Sequence, residues 1–294
     1  MPNGYDSYFM QQDEHKKLEN FLRNSDYQLA VSFLEEIEEK AKDDSDYWYY
    51  HAYIARKMND LKHAEIFCEK ALSLSPASRK ANFEMGIIYQ TKDDYEKAIS
   101  FLERAASPED GEVYYIEQVD ILNSLALTYK KAGDSKSALQ RYNAALEVLA
   151  QGIYERIKKQ PLQEIEAKHP GNNLEGWMRL AFQIAIKNAA KDGIETAMIP
   201  DGETAKKIVE QNPYMGVAFY DKDGARYLLP AYFAAFSNAL RSDILYSNIV
   251  NNIGTLFAET REIEEAKKCF LEAIDFTPQE MKFDNPHINL ENLK

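Results

Sequence analysis

Three alanines fall at one fixed interval along the chain. Ala30, Ala64 and Ala98 are successively 34 residues apart, and the residues around them recur as well. Near Ala64 stand Trp48, Ala52, Ala55, Cys68, Ala71 and Pro76; near Ala98 stand Met85, Gly86, Tyr89, Leu102 and Ala105. Two later stretches keep the order: Leu125, Ala126, Tyr129, Ala138, Tyr142, Ala145, and then Ile253, Gly254, Phe257, Ala266, Phe270, Ala273, Pro278. An earlier, degenerate copy has Leu18, Phe21, Ala30, Leu34 and Ile37 in register, with Glu14 at the Trp position. Polar stretches (MNDL, TKDD, KAGDS, ETRE) punctuate each copy before its central alanine, as turns between helices do. A period of this length marks a supersecondary unit that cannot bury its apolar face alone, so the units must stack. The spacing predicts antiparallel helix pairs at about 18–34, 45–75, 79–106, 118–150 and 243–276. Small residues, Gly86 with Ala98 and Gly254 with Ala266, are expected to let the paired backbones approach. Tyr89 and Phe270 are expected to fill the space between successive units.

The pattern resembles the tetratricopeptide repeat, W-x2-L-G-x2-Y…A-x3-F…P. The resemblance implies a mainly α fold, an α-α superhelix of helix pairs, with a concave groove lined by the first helix of each pair. The family holds extended or helical peptides along that groove. The corresponding stripe reads Asp46, Tyr49, Tyr53, Arg56 in the second unit and Lys80, Phe83, Ile87, Gln90 in the third. It continues as Asp120, Asn123, Leu127, Lys130 and as Asn248, Asn251, Thr255, Ala258. The candidate peptide-binding residues are therefore Tyr49, Tyr53, Arg56, Phe83, Ile87, Asn123, Lys130 and Asn251. Aromatics give anchor area at low entropy cost, and Asn side chains can grip a peptide backbone. The competing reading is that the cluster Tyr47, Tyr49, Tyr50, Tyr53 is filled by the chain's own first unit or by the insertion at 152–246. A subclass of the family clamps terminal carboxylates, but Glu19, Glu84 and Asp120 at the corresponding places would repel one.

The array is interrupted, since Ala138 and Ala266 are not separated by a whole number of repeats. Residues 174–190 read as an apolar helix, 194–199 as a short strand and 203–211 as a helix. MGVAFY-DKDG-ARYLL reads as a hairpin over 214–229, with a further helix from Pro230. This gives a small α+β insertion that should pack on the array, because Trp177, Phe182, Phe219, Tyr227 and Tyr232 need burial. The alternative is degenerate repeats with long loops. The expected organisation is 1–151, repeats; 152–246, insertion; 247–294, a last repeat with a capping helix opened by Asn285-Pro286.

Charge and chemistry narrow the function. The net charge is −13, and residues 1–50 alone hold twelve Asp/Glu against five Lys/Arg. Such an end repels nucleic acid and anionic lipid and suits a basic partner. The opening MPNGYDSYFMQQDEHKK is polar and no run of eighteen apolar residues occurs, so a cytoplasmic protein without a membrane partner is expected. Cys68 and Cys269 form no CxxC, and His15, His51, His63, His169 and His287 lack metal-ligand spacing. Asp221-Lys-Asp223-Gly224 is like the start of a calcium loop but lacks its distal Glu. No nucleophile elbow, phosphate loop or zinc-protease motif occurs. The expectation is a non-enzymatic scaffold that holds another protein or peptide, with no cofactor and no metal. The alternatives are an enzyme or ligand sensor centred on 152–246, where carboxylates exist without mechanistic spacing, and a structural protein that self-associates through its repeats.

Overall fold

The computed structural model describes residues 12–107, 115–157, 196–198, 219–222, 225–228, 244–277 and 281–293. These are mainly helical. The helices are α1 (Gln12–Arg23), α2 (Tyr27–Ala41), α3 (Ser45–Lys57), α4 (Leu61–Leu74), α5 (Arg79–Thr91) and α6 (Tyr95–Ala106), then α7 (Tyr115–Lys131) and α8 (Ser135–Ile157). Near the C-terminus come α9 (Ile244–Glu259), α10 (Ile263–Asp275) and α11 (Asn285–Glu291). The chain divides into two compact units. One takes in the chain to Val113 with Asp120–Arg141; the other takes in Tyr114–Val119 and everything from Tyr142.

From α1 to α6 each helix packs on its successor, and α3 also packs on α5, the first helix of the next pair. Local chemistry dictates the pairs. Asp60 and Asp94 cap α4 and α6, accepting from the His63 and Lys97 amides at 3.2 and 3.3 Å, and Asp134 accepts from Ser137 in α8. Each cap satisfies an amide that the first helical turn leaves without a partner. The residue before each of these three acids has positive φ, Asn59, Asp93 and Gly133, and Ser25 before α2 has it too. This one left-handed step turns the chain back on itself, and Gly133 alone takes it without a Cβ penalty.

The recurring alanines Ala30, Ala64, Ala98 and Ala138 are fully buried. At Gly86 the tightest approach is to Leu102, beyond Ala98. A Cβ on Gly86 would lie 2.6 Å from Leu102 Cγ, so the facing residue is one helical turn further on. Tyr89 stacks on Phe101 in its own pair, with ring centroids 5.7 Å apart, while its hydroxyl donates to Glu65 of the preceding pair. The first pair also runs further than the spacing predicts, from Gln12 to Ala41. Glu14 causes no break there, because at the helix surface its carboxylate is met by Lys40.

In the second unit α10 packs on α9, and α11 packs on both. A Cβ on Gly254 would lie 2.6 Å from the Phe270 ring. Phe270 thus fills space within its own pair. Among the described residues between α8 and α9 are three short strands: β1 (Thr196–Met198), β2 (Phe219–Lys222) and β3 (Ala225–Leu228). β2 pairs antiparallel with β3, inside the interval where the alternation places a hairpin, and β1 adds in parallel along the other edge of β3. The helices expected at 174–190, 203–211 and beyond Pro230 lie outside the described residues. So do Trp177, Phe182 and Tyr232; Phe219 and Tyr227 stand in β2 and β3, and the expected packing of the insertion on the array lies outside what is described.

Candidate binding groove

Helix α3 divides its tyrosines by helical period. Tyr47 and Tyr50 lie three residues apart and point inward, 2% and 8% exposed, into a core with Leu18, Phe33, Leu34 and Ile54. Tyr49 and Tyr53 lie four apart and pack against the edge of that core, partly exposed. Their ring centroids are 6.3 Å apart. The Tyr50 hydroxyl meets His15 Nε2 at 3.1 Å, which ties α3 to α1. The first pair therefore fills the inner two tyrosines and leaves part of the outer two to solvent.

Polar rungs join this helix to the next. Lys80 donates to Asp46 at 2.8 Å. Arg56 donates to both oxygens of Glu84, whose side chain is only 2% exposed, with Nη2 to Oε2 at 3.1 Å. Gln90 then joins α5 to α7, donating to the Ser124 carbonyl at 3.2 Å and to the buried Thr128 hydroxyl at 2.7 Å. The cations also lie by the tyrosines: Lys80 is 5.8 Å from the Tyr49 ring, and Arg56 and Lys57 are 5.6 and 5.3 Å from that of Tyr53. Burial, then the Glu84 carboxylate, pushes the Tyr49 phenol well above its ordinary value. Burial also raises Tyr50, to about 12. Burial pulls the Arg56 guanidinium down, but the Glu84 hydrogen bond and charge outweigh it and leave the group raised.

Phe83 and Ile87 are partly exposed on α5, and Asn123 and Lys130 are partly exposed on α7, both already engaged by neighbours. Asn251 differs. It belongs to the second unit, is 5% exposed, and its Oδ1 accepts from Asn289 of α11 at 2.9 Å. Lys80, a cation expected to face solvent, is taken up by Asp46, and Glu84 is neutralised by Arg56. A carboxylate clamp at these places thus lacks a free cation at Lys80, a different obstacle from the expected repulsion by Glu84. The Asp46–Lys80 rung was open to inspection, as opposite charges one repeat apart. Arg56 and Glu84, at a separation of 28 residues, fall outside the register, and the pairing gives no sequence signal.

Among the described residues, no group of three or more His, Cys, Asp or Glu is placed to hold a metal ion. Burial raises both thiols, Cys269 to about 12, so neither is a ready thiolate. No described helix is long and apolar enough to cross a membrane.

The tetratricopeptide repeat profile matches residues 45–78, 80–107 and 247–280. No curated protein matches the chain. Among solved structures, one of nearly identical TPR-like repeats from Podosopora anserina is 10% identical, with a TM-score of 0.49, over 90% of this chain and 93% of that one. Pseudomonas aeruginosa PilF is 12% identical, with a TM-score of 0.44, over 95% and 94%. MamA from Desulfovibrio magneticus is 17% identical, with a TM-score of 0.38, over 48% and 78%.

Proposed function

We propose, from the premise that this chain is a tetratricopeptide repeat protein, that it is a non-enzymatic scaffold holding another protein or peptide. The holding surface is the face of α3, α5 and α7 that carries Tyr49, Tyr53, Arg56, Phe83, Ile87, Asn123 and Lys130. The observation that carries this reading is the division of the tyrosines on α3. A face meant only for water needs no Tyr49, Tyr53, Phe83 or Ile87, and a face meant only for the core would bury them as it buries Tyr47 and Tyr50. Half-burial holds a ring in one orientation while leaving area to cover, which lowers the entropy cost of binding. Arg56 acts mainly by holding Glu84, and Asn251 helps to seat α11. The partner sought is one with apolar anchors and basic flanks, because Glu35, Glu36, Glu38 and Glu39 on α2 are exposed and attract basic flanks.

The double change Tyr53→Ala and Phe83→Ala tests the reading. It should weaken capture of the native partner by about 2–4 kcal/mol while leaving the helical circular dichroism spectrum and unfolding midpoint nearly unchanged. Quantitative affinity capture from the native source, wild type against double variant, reads the difference. Equal capture by both proteins removes this face as the site.

A further inference from the structure

We propose that His51 is an acid-operated latch between the two helices of the second pair, so that mild acid loosens α3 and with it the partner-holding face. The latch itself stands on the geometry below; release of a partner rests on the function proposed above. His51 projects from α3 into a box of rings. Its centroid is 4.7 Å from Tyr47, 5.9 Å from Trp48 and 5.2 Å from Phe67, the last on α4. Its Nε2 is buried and meets no hydrogen-bond partner. A neutral imidazole with the proton on Nδ1 tolerates this, because Nε2 can go without a donor at modest cost; an imidazolium would place an unmet Nε2–H donor and a charge there.

The surrounding charges give a proton no welcome. From α4, the Lys70 ammonium lies 4.0 Å from the Trp48 ring and 5.9 Å from Phe67, so a cation already occupies the ring faces that would otherwise attract an imidazolium. Also on α4, His63 lies near Phe67 and is held by Asp60 at 2.6 Å. From α2, Glu35 and Glu38 act on Tyr47. From α5, Lys80 and Glu84 are spent on Asp46 and Arg56. Burial, then Lys70, depresses the imidazole to about 4 from an ordinary 6.5. A folded value below the unfolded one means that the unfolded state binds the proton more readily. The latch is therefore fully closed above about pH 6.5 and is lost as pH falls toward 4. One repeat later the same place holds Met85, 2% exposed, which cannot titrate. The third pair is thus a built-in control.

Amide-exchange protection factors in the full chain, at pH 7 and pH 4.5, test this together with an NMR titration of the His51 ring. The ring should titrate well below 6.5, and protection across 45–74 should fall about 50-fold more than protection across 79–106. His51→Met should abolish the excess loss, and His63→Gln should leave it in place. A His51 ring that titrates at 6.5 or above, an equal loss in both pairs, or an excess that survives His51→Met overturns the latch. If His51→Met does not fold, the wild-type titration and the two-pair comparison decide alone. A latch that opens while the partner stays bound at pH 4.5 sustains the latch and counts against the proposed holding face.

Discussion

The second and third helix pairs lie one repeat apart and solve the same packing problem with different residues. Where the second pair sets Ala52 near Cys68, the third sets Gly86 directly against Leu102. A smaller residue on one helix accompanies a larger one on the other, so the distance between backbones is kept by the combined volume and not by either residue. The motif Trp position shows the same economy. Trp48 donates from Nε1 to the Lys42 carbonyl, and Asn82 donates from Nδ2 to the Pro76 carbonyl, each six residues back. What the position requires in these two pairs is a side-chain N–H that anchors the entering loop. The indole adds a stack on Phe67, with centroids 5.9 Å apart; the amide adds a second bond to the Ser78 carbonyl.

The largest expected effect comes from cutting the two pairs apart. Arg56→Ala leaves the Glu84 carboxylate buried and without its cation, at a cost of about 3–5 kcal/mol. Urea unfolding should show it, and Glu84→Gln should cost less because no charge is stranded. A change near that of an exposed ion pair would mean that water reaches Glu84. Next in size is an exchange of packing solutions. Gly86→Ala should cost about 1–3 kcal/mol by overpacking against Leu102. Adding Leu102→Cys, which copies the second pair, should recover most of that loss; no recovery would show that backbone spacing differs between the pairs. The smallest effect concerns the loop anchor. Asn82→Ala should lower stability by about 1–2 kcal/mol and speed exchange at the start of α5 more than at its end. An unchanged unfolding midpoint would show that the shared six-residue reach carries no energy.

Much of the repeat was open to reading because it is written in small buried residues at fixed spacing. Ala64 and Ala98 place the pairs, and the polar stretches before them place the turns. What stayed closed are contacts between helices that depend on side-chain length and rotation. The atoms nearest a Cβ on Gly86 belong to Leu102, because a helical side chain leans toward the preceding turn and covers a place away from its own Cα. The candidate face was legible on α3 as a stripe, Tyr49 to Tyr53 to Arg56. Its division into two inner and two outer tyrosines required knowing where α1 and α2 lie. His51 gave no signal at all: a histidine matters here only because three rings enclose it, two of them its neighbours on α3 and one contributed by α4.

The polar rungs Asp46–Lys80, Arg56–Glu84 and Gln90–Thr128 run from one pair to the next, whereas the interior of each pair is mostly apolar. Under tension along the first unit, the rungs lie across the planes where pairs separate and carry load together. Each is a short-range polar contact that breaks over a small extension and can re-form when the load is removed. The first unit should therefore yield as a spring with discrete catches before any helix unwinds, and its stiffness should fall as added salt screens the exposed Lys80–Asp46 catch while the buried Arg56–Glu84 catch holds.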